Sequence, residues 1–419
     1  MSFWERSAVF HALRHRNFRM FYAGQVVSLS GLWMQRVAMN WLVYRMTGSA
    51  FLLGTVDFMA QIPVLLLGSF TGAFLEGRNL RKVIMICQTV SMLHALSLAV
   101  LTLTGVVQYW HILVLAAIIG ISDSFEVPAR QGFTIRLVED EQDLGNGIAL
   151  TSTLFNVTRL VGPSVAGMVI AVVGEGICFL LNGLAYSATL TALSLMKFRR
   201  PLVPGGESKN LLGGLKEGIR YVTTFRPLRS YMGAIALVSF FAFPYMVLLP
   251  IFAREILSGG PRALGFLMGA SGVGALAGSV RLALRRSPVG LGRVMAVSCI
   301  FLGISMGAFS FSRNFPLSLV LMVFLGFFMV STLVSCNTLV QTLVDDDKRN
   351  RVMSLFIVCA MGITPLGSLN AGWLASRLGA PVTLFLGGCV SLAIGARLWR
   401  SWPALWSLSE PVYRRKNLL

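Results

Sequence analysis

Ionisable residues stand inside long apolar stretches of this 419-residue chain, and all of them fall in its first half. A charge at membrane depth is costly and usually functional. Arg36 and Asp57 lie about nine and about seven residues from the outer ends of two successive stretches, so at about 1.5 Å rise per residue their depths agree. The residues that could carry charge or a proton are Arg36, Asp57, Asp123, Glu126 and Arg159.

Two ion pairs are predicted from these depths, Arg36 with Asp57 and Asp123 with Arg159. Neutralised pairs would lower the cost of inserting the charges into lipid. One interpretation is that the pairs only fix helix packing or gate this half of the chain. A second is that Asp57 or Asp123 releases its partner and takes up a proton, which would couple transport to proton entry. A third is a direct salt bridge to a charged substrate.

The elements that must position these residues are membrane-spanning helices. Runs without any Asp, Glu, Lys or Arg, such as 83–122 and 314–344, exceed the roughly 20 apolar residues that cross a bilayer as a helix. They are far too long for barrel strands. The sequence predicts an all-α membrane protein with twelve spans, at about 19–45, 50–75, 83–106, 110–129, 146–173, 176–196, 229–253, 262–283, 293–312, 315–340, 350–375 and 380–398.

Charge indicates the orientation rather than a nucleic-acid partner. The net charge is +19 in a chain that is 55% hydrophobic and 13% charged. The basic residues sit mostly in short loops on one side of the spans, which is a topology signal. We therefore predict a multi-pass protein of the bacterial cytoplasmic (inner) membrane with both termini cytoplasmic, in contact with the lipid bilayer. Residues 1–19 are expected to lie on the inner membrane surface.

An internal repeat divides the chain into two halves. At offsets of about 205–211 residues, Arg16–Arg19 matches Arg226–Arg229, Leu53-Gly54 matches Leu264-Gly265, and Ala166-Gly167 matches Ala371-Gly372. We predict two pseudo-symmetric six-helix bundles, 1–196 and 229–400, with a cytoplasmic linker at 197–228 and a cytoplasmic tail at 401–419. Twin halves of this kind are typical of transporters that bind substrate near the midplane.

Several motifs resemble the major facilitator superfamily over the whole chain. Residues 72–76 with Arg78, Arg81 and Lys82 resemble its loop signature Gly-x-Leu-Ala-Asp-Arg-x-Gly-Arg-Arg, with Glu76 replacing the Asp and the later Gly absent. Residues 159–167, centred on Gly162-Pro163, resemble the Gly-Pro motif of antiporter members. Residues 125–131 and 33–35 resemble the subgroup that contains the enterobactin exporter and related efflux proteins, the transmembrane secretion effector type.

The resemblance implies a major facilitator fold and a set of gating residues at the inner helix ends. These residues are Glu76, Arg81, Glu126, Arg130, Gly162 and Pro163. One departure matters, because the arginine that many proton-coupled members carry early in the fourth span is absent. Residues 115–117 are Leu, Ala and Ala there. The resemblance alone therefore does not imply proton antiport.

The second half supplies a neutral, aromatic candidate wall for a substrate cavity. Spans eight to twelve have charge-free centres. An apolar, aromatic lining would suit a hydrophobic or amphipathic ligand. The candidate cavity residues are Gln35, Phe240, Phe243, Tyr245 and Phe327.

The function predicted from these features is secondary active export of an amphipathic small molecule, a siderophore or drug-like compound, by alternating access with proton entry. A lipid or lysolipid flippase, an uptake transporter and a non-transporting receptor or scaffold remain alternatives. The chain lacks the phosphate-binding loop of ATP-driven pumps and the His-Glu-x-x-His of metalloproteases. We accordingly expect no enzyme activity, no catalytic residue, no cofactor, no metal site and no nucleic-acid partner, in a protein that is a monomer.

Overall fold

The computed structural model describes residues 8–75, 77–138, 141–196, 211–285, 287–345, 348–416 and 418, and within them it contains helices and no strand. The predicted all-α class is confirmed. After a 3-10 helix at Ala8–Arg14, the α-helices are α1 Arg16–Thr47, α2 Ala50–Leu75, α3 Leu80–Leu103, α4 Tyr109–Leu137, α5 Glu141–Val173, α6 Glu175–Leu195, α7 Leu211–Thr224, α8 Arg226–Phe241, α9 Tyr245–Ile251, α10 Gly260–Ala283, α11 Leu291–Phe311, α12 Phe315–Leu343, α13 Arg349–Ile357, α14 Thr364–Leu378 and α15 Ala380–Arg415.

Among the described residues, 11 helical segments are long and apolar enough to cross a membrane. Helix α1 is not one of them, although its 32 residues would reach about 48 Å. Its polar and charged side chains, among them Gln25, Gln35 and Arg36, lower its hydropathy. The helix packs along α5 and α6 and buries Gln25 and Gln35. Counting α1 for its length, the described residues contain twelve helical segments long enough to cross a membrane, as predicted.

The seventh and eleventh predicted spans are interrupted. Helix α8 ends at Phe241, and α9 begins at Tyr245 directly after Pro244. Short π-helical turns follow at Phe252–Ile256 and Val358–Gly362. Such turns concentrate at functional sites. The Ser239 hydroxyl donates to the Ala360 carbonyl at 2.9 Å, so α8 contacts the irregular turn between α13 and α14.

Clustering of the helices gives two compact units. One comprises the described residues of 1–47, 59–208 and 260–265, and the other comprises those of 48–58, 209–259 and 266–419. The first holds α1 and α3–α6, and the second holds α7–α9 and α11–α15. The predicted domain boundaries at 196 and 229 stay a prediction.

Glycines from the internal repeat meet in two helix crossings. In the first unit a Cβ on Gly167 would lie 2.6 Å from the Pro261 carbonyl oxygen and 2.9 Å from the Gly265 Cα. In the second unit a Cβ on Gly372 would lie 2.6 Å from the Ala50 carbonyl oxygen and 3.2 Å from the Gly54 Cα. Glycine allows helix backbones to approach this closely. The sequence repeat is therefore matched by equivalent helix-backbone contacts in the structure.

The described residues near both ends of the chain pack against the rest of the protein, and the predicted position of residues 1–19 on the membrane surface stays a prediction. In the N-terminal 3-10 helix, Ala12 and Leu13 are buried in a cluster with Phe18, Phe133 and other apolar side chains. This segment thus packs on the bundle as far as it is described. Helix α15 continues past residue 400 to Arg415. Buried side chains recur along this extension at helical spacing, at Trp402, Leu405, Ser409 and Tyr413.

Candidate functional site

Trp33 of α1 brings two of the predicted membrane-depth charges together. The Arg36 guanidinium lies 5.1 Å from the Trp33 ring centroid and the Arg159 guanidinium 5.9 Å from it. Trp33 is buried and packs edge-on against Phe155. Cations on an aromatic face are stabilised by the ring quadrupole, more so away from water. The indole therefore serves as a partner for both arginines.

Gly162 and Pro163 shape α5 next to this tryptophan. A Cβ on Gly162 would lie 2.7 Å from the Trp33 Cβ, so glycine lets α5 approach α1. Pro163 lies inside α5. It has no N–H, which leaves the Arg159 carbonyl without its usual helical donor. The Gly-Pro motif thus positions the backbone that carries Arg159.

Asp123 lies on α4 among a different set of charges from the predicted set. The charged side chains that act on it are those of Glu126, Arg36 and Arg130. Within the described residues no ion pair joins Asp123 to Arg159, which lies on Trp33 instead. Arg36 belongs to the first unit and Asp57 to the second. The pairing of Arg36 with Asp57 therefore stays a prediction.

Glu126 anchors a buried polar network in the first unit. Its carboxylate accepts a 2.8 Å hydrogen bond from the Gln88 amide and a 3.5 Å ion pair from Arg130. Arg130 also donates to the Gln25 side chain at 3.4 Å. Glu126 is 5% exposed. The expected contact between Glu126 and Arg130 is present, and it extends from α4 to α1 and α3.

Gln35 belongs to a second buried polar cluster in the same unit. Its amide nitrogen lies 3.2 Å from His94 Nδ1, and its oxygen accepts a 2.6 Å hydrogen bond from Asn182. All three side chains are at most 5% exposed. Buried polar groups fix helix register to the extent that they are satisfied, and here His94 Nε2 and Asn182 Oδ1 have no hydrogen-bond partner among the described residues. A cavity role for Gln35 stays a prediction.

The remaining gating candidates are Glu76 and Arg81. Glu76 lies outside the described residues. Arg81 donates to the Ser194 carbonyl at 3.0 Å and so ties the start of α3 to the end of α6. The loop signature therefore contributes at least one contact that joins two helix ends of the first unit.

Three of the aromatic candidates of the second unit, Phe240, Phe243 and Tyr245, lie at or beside the break between α8 and α9. Phe240 packs on Phe241, and Phe243 lies in the break. Tyr245 is buried, and its hydroxyl hydrogen-bonds with the Ser271 hydroxyl at 2.7 Å. Phe327 of α12 packs on Phe328 and lies 5.8 Å from the Arg281 guanidinium. Among the described residues, no group of three His, Cys, Asp or Glu side chains could hold a metal ion.

The buried uncharged polar residues were not predicted from the sequence, and neither were the contacts of Asp143 and Asp345 described below. Gln25, Gln88, His94 and Asn182 complete the two buried clusters, and each stands as a polar residue in an otherwise apolar span. A polar residue that interrupts an apolar span was the sequence signal from which these clusters could have been predicted. Their partners could not be assigned, because the rotation of each helix about its axis is not encoded locally.

Asp143, in the first turn of α5, holds the N-terminal 3-10 helix. Arg14 donates to its carboxylate, and His15 Nε2 lies 3.0 Å from it. Burial opposes the charged form of Asp143. The hydrogen bonds from His15 and Arg14 outweigh that effect, so its pKa lies below the ordinary value.

Asp345 makes the corresponding contact before α13. It accepts a 2.9 Å hydrogen bond from the Tyr221 hydroxyl of α7 and pairs with Arg415 at the end of α15. The hydrogen bond from Tyr221 is the main reason that the pKa of Asp345 lies below its ordinary value. In each unit, a carboxylate after the fourth span of that half thus binds the short helix that precedes its first span.

Related proteins are membrane transporters. The chain is 24% identical over 377 residues to the staphyloferrin A transporter of Staphylococcus aureus, covering 90% of this chain and 94% of that one. It is 26% identical over 367 residues to the multidrug efflux pump Tap of Mycolicibacterium fortuitum, covering 86% and 89%. The similarity thus extends across both halves.

Solved structures agree on the fold. The nucleoside transporter NupG superposes with a TM-score of 0.73 at 12% identity, over 92% of this chain and 99% of that one. A bacterial homologue of the iron transporter ferroportin, in an inward-facing state, gives 0.68 at 16% identity over 93% and 98%. The model of the transmembrane secretion effector family matches residues 7–404. Because that match covers nearly the whole chain, this chain belongs to the transmembrane secretion effector family of the major facilitator superfamily.

Proposed function

We propose that this transporter exports an amphipathic small molecule, a siderophore or drug-like compound, by alternating access coupled to proton entry. The observation that carries the proposal is the unequal distribution of chemistry between the two halves. Arg36, Asp123, Glu126, Arg130 and Arg159 gather in the first unit. The second unit instead has a break in its first span that is flanked by aromatic side chains.

The charged group of the first unit supports a coupling role. Asp123 has two cations and a second carboxylate as electrostatic neighbours. Loss or gain of one proton at Asp123 changes the net charge of this cluster of side chains by one unit. Protonation can drive transport only if it favours one conformation over the other. Asp57, which lies at membrane depth in α2, is the second coupling candidate.

The irregular first span of the second unit supports a substrate site. Interrupted helices in transporters line the binding site near the midplane. Here the break at 242–244 is flanked by Phe240 and Tyr245, and Ser239 connects it to the π-turn at Ala360. An aromatic surface beside freed backbone groups suits a ligand with both apolar and hydrogen-bonding parts.

The names of the relatives agree with this substrate class, since one is a siderophore transporter and another a multidrug efflux pump. The inner-side excess of basic residues supports an orientation with both termini cytoplasmic. In that orientation Arg81, Glu126 and Arg130 lie at inner helix ends, where gating residues act. Gly162 and Pro163 would let α5 bend during the cycle.

The test is transport in proteoliposomes that hold the purified protein and a fluorescent amphipathic cation. With an imposed pH gradient, the probe is expected to accumulate against its own gradient in the direction opposite to the protons. Accumulation in the same direction as the protons would indicate uptake. Scrambling of a labelled lysolipid without probe transport would indicate a flippase, and transport of neither would favour a receptor or scaffold.

A further inference from the structure

The second unit contains a cleft of about 490 Å³ between the start of α8 and the middle third of α15. Arg226 and Arg229 of α8 and Arg397 of α15 line one end of it, together with Ser230 and Ser401. We infer that this cleft binds one anionic phospholipid from the cytoplasmic leaflet. The inference is independent of what the protein transports.

The polar end of the cleft carries uncompensated positive charge. Arg226, Arg229 and Arg397 are exposed, and so is Arg400, which lines a second, shallower depression that shares Arg397 and Ser401. Among the described residues, no carboxylate lines either concavity. In the described part of the chain none of the four has an ion pair, and Arg229 makes only a 3.5 Å contact to the Thr223 carbonyl. Arginine binds phosphate through two parallel N–H donors.

The other end of the cleft is apolar. Gly233, Ala234 and Leu237 continue the α8 wall, and Ile394 and Leu398 form the facing wall on α15. A Cβ on Gly233 would meet nothing within 4 Å, and Leu237 is 47% exposed. From Arg226 to Leu237 the helix rises about 16 Å. The cleft is therefore basic at one end and open and apolar at the other, as a phospholipid requires.

The position of the cleft selects a lipid over a free phosphate. Both walls belong to segments long and apolar enough to cross a membrane, Arg226–Ile256 and Ala380–Arg415. Arg226 and Arg229 begin the first segment, at its inner end in the proposed orientation, and Arg397 directly follows the charge-free part of the second, 378–396. The exposed Trp399 lies beside them, and Trp is enriched at the membrane interface. Basic pockets between spans on the cytoplasmic side are known sites for anionic headgroups.

The experiment uses the purified full-length protein in detergent, titrated with phosphatidylglycerol, cardiolipin or phosphatidylcholine of the same acyl chains. Lipid retention is read by intact-mass spectrometry and by the thermal unfolding midpoint. The two anionic lipids are expected to bind and stabilise, and phosphatidylcholine is not. Each interfacial arginine contributes about fivefold to affinity. R226Q/R229Q/R397Q should therefore weaken binding on the order of 100-fold.

A matched control comes from the internal repeat. R16Q/R19Q removes two exposed arginines at the equivalent positions in the first turn of α1 and should leave binding unchanged, whereas R226Q/R229Q should weaken it about 25-fold. Gly233→Leu keeps every charge but fills the apolar end. It should weaken phosphatidylglycerol binding and leave the small stabilisation by inorganic phosphate unaltered.

Three outcomes would overturn the inference. Equal binding of phosphatidylglycerol and phosphatidylcholine would mean that the arginines do not select a headgroup. An equal loss in R16Q/R19Q would mean that only overall charge matters. Full stabilisation by inorganic phosphate alone would mean that the apolar end takes no acyl chain.

Discussion

At the scale of single residues, one carboxylate joins three helices of the first unit. Glu126 binds Gln88 of α3 and Arg130 one turn along α4, and Arg130 reaches Gln25 of α1. A buried carboxylate is tolerated only when such partners satisfy it. Three helices thus depend on a single hydrogen-bonded group.

Replacing Arg130 with Ala should therefore destabilise the protein, because Glu126 keeps its charge and loses its cation. The expected loss is about 1–3 kcal/mol, the cost of a buried group left without a partner. The measurement is the thermal unfolding midpoint in detergent. Arg136→Ala on the same helix is the control, since the structure shows no ion pair for Arg136 among the described residues. Equal effects in both variants would contradict the role given to the network.

Asp143 predicts a pH dependence. Its pKa is lowered in the folded protein, so its contribution to stability is full at neutral pH and is lost as the pH falls through that folded pKa. Asp143→Asn should lower the unfolding midpoint at pH 7 and expose the N-terminal segment to protease. The difference from the unaltered protein should shrink towards acidic pH.

Glu410→Gln provides the comparison for Asp143. Glu410 also pairs with an arginine, in its case Arg414 one turn along the same helix, but the Glu410 side chain is a third exposed. An exposed pair contributes little. If the Glu410 variant lost as much stability as the Asp143 variant, the buried contact would contribute no more to stability than an exposed ion pair.

At the scale of elements, the helix crossings depend on glycine. Gly167→Ala would place a Cβ 2.6 Å from the Pro261 carbonyl oxygen. The α5 and α10 backbones must then separate, so we expect a loss of about 1–3 kcal/mol from overpacking. The unfolding midpoint measures this loss.

Gly68→Ala is the matched control for that crossing. Gly68 also lies inside a helix, α2, but a Cβ there meets nothing within 4 Å. Alanine is the better helix former, so this variant should be neutral or more stable by up to about 1 kcal/mol. A destabilised Gly68 variant beside an unaffected Gly167 variant would refute the packing argument.

Most helix positions could be predicted from the sequence, because lipid requires long apolar helices and charge ends them. The prediction for 50–75 agrees with Ala50–Leu75 at both ends. The breaks before Tyr245 and around Val358–Gly362 were not predicted, although Pro244 and Pro365 were visible signals. Apolar length alone does not reveal a local change of hydrogen-bond pattern.

The candidate site was predictable only in part, because depth along a helix can be counted but the facing side cannot. Glu126 and Arg130 are one turn apart on one helix, so their contact could be expected. Arg159 was assigned to Asp123 by depth, yet it lies on Trp33. An aromatic ring as the partner of a cation leaves no charge signal in the sequence.

At the scale of the whole molecule, the orientation is open to direct test. In a variant without native cysteines, a cysteine at Gln108 should react with an impermeant thiol reagent added outside intact cells. A cysteine at Thr223, on the opposite side of the spans, should react only after the membrane is permeabilised. The reverse pattern would contradict cytoplasmic termini, and with them the leaflet proposed for the lipid cleft.

The central claim is that a carboxylate of the first half couples proton entry to export. Asp57→Asn and Asp123→Asn each remove one candidate proton site with little change in size. The direct measurement is accumulation of the amphipathic probe in proteoliposomes with and without an imposed pH gradient, with Glu410→Gln as the control. We predict that at least one of the two variants loses uphill accumulation and retains downhill exchange. If both variants still concentrate the probe as the unaltered protein does, the carboxylates are structural and the account of coupling is wrong.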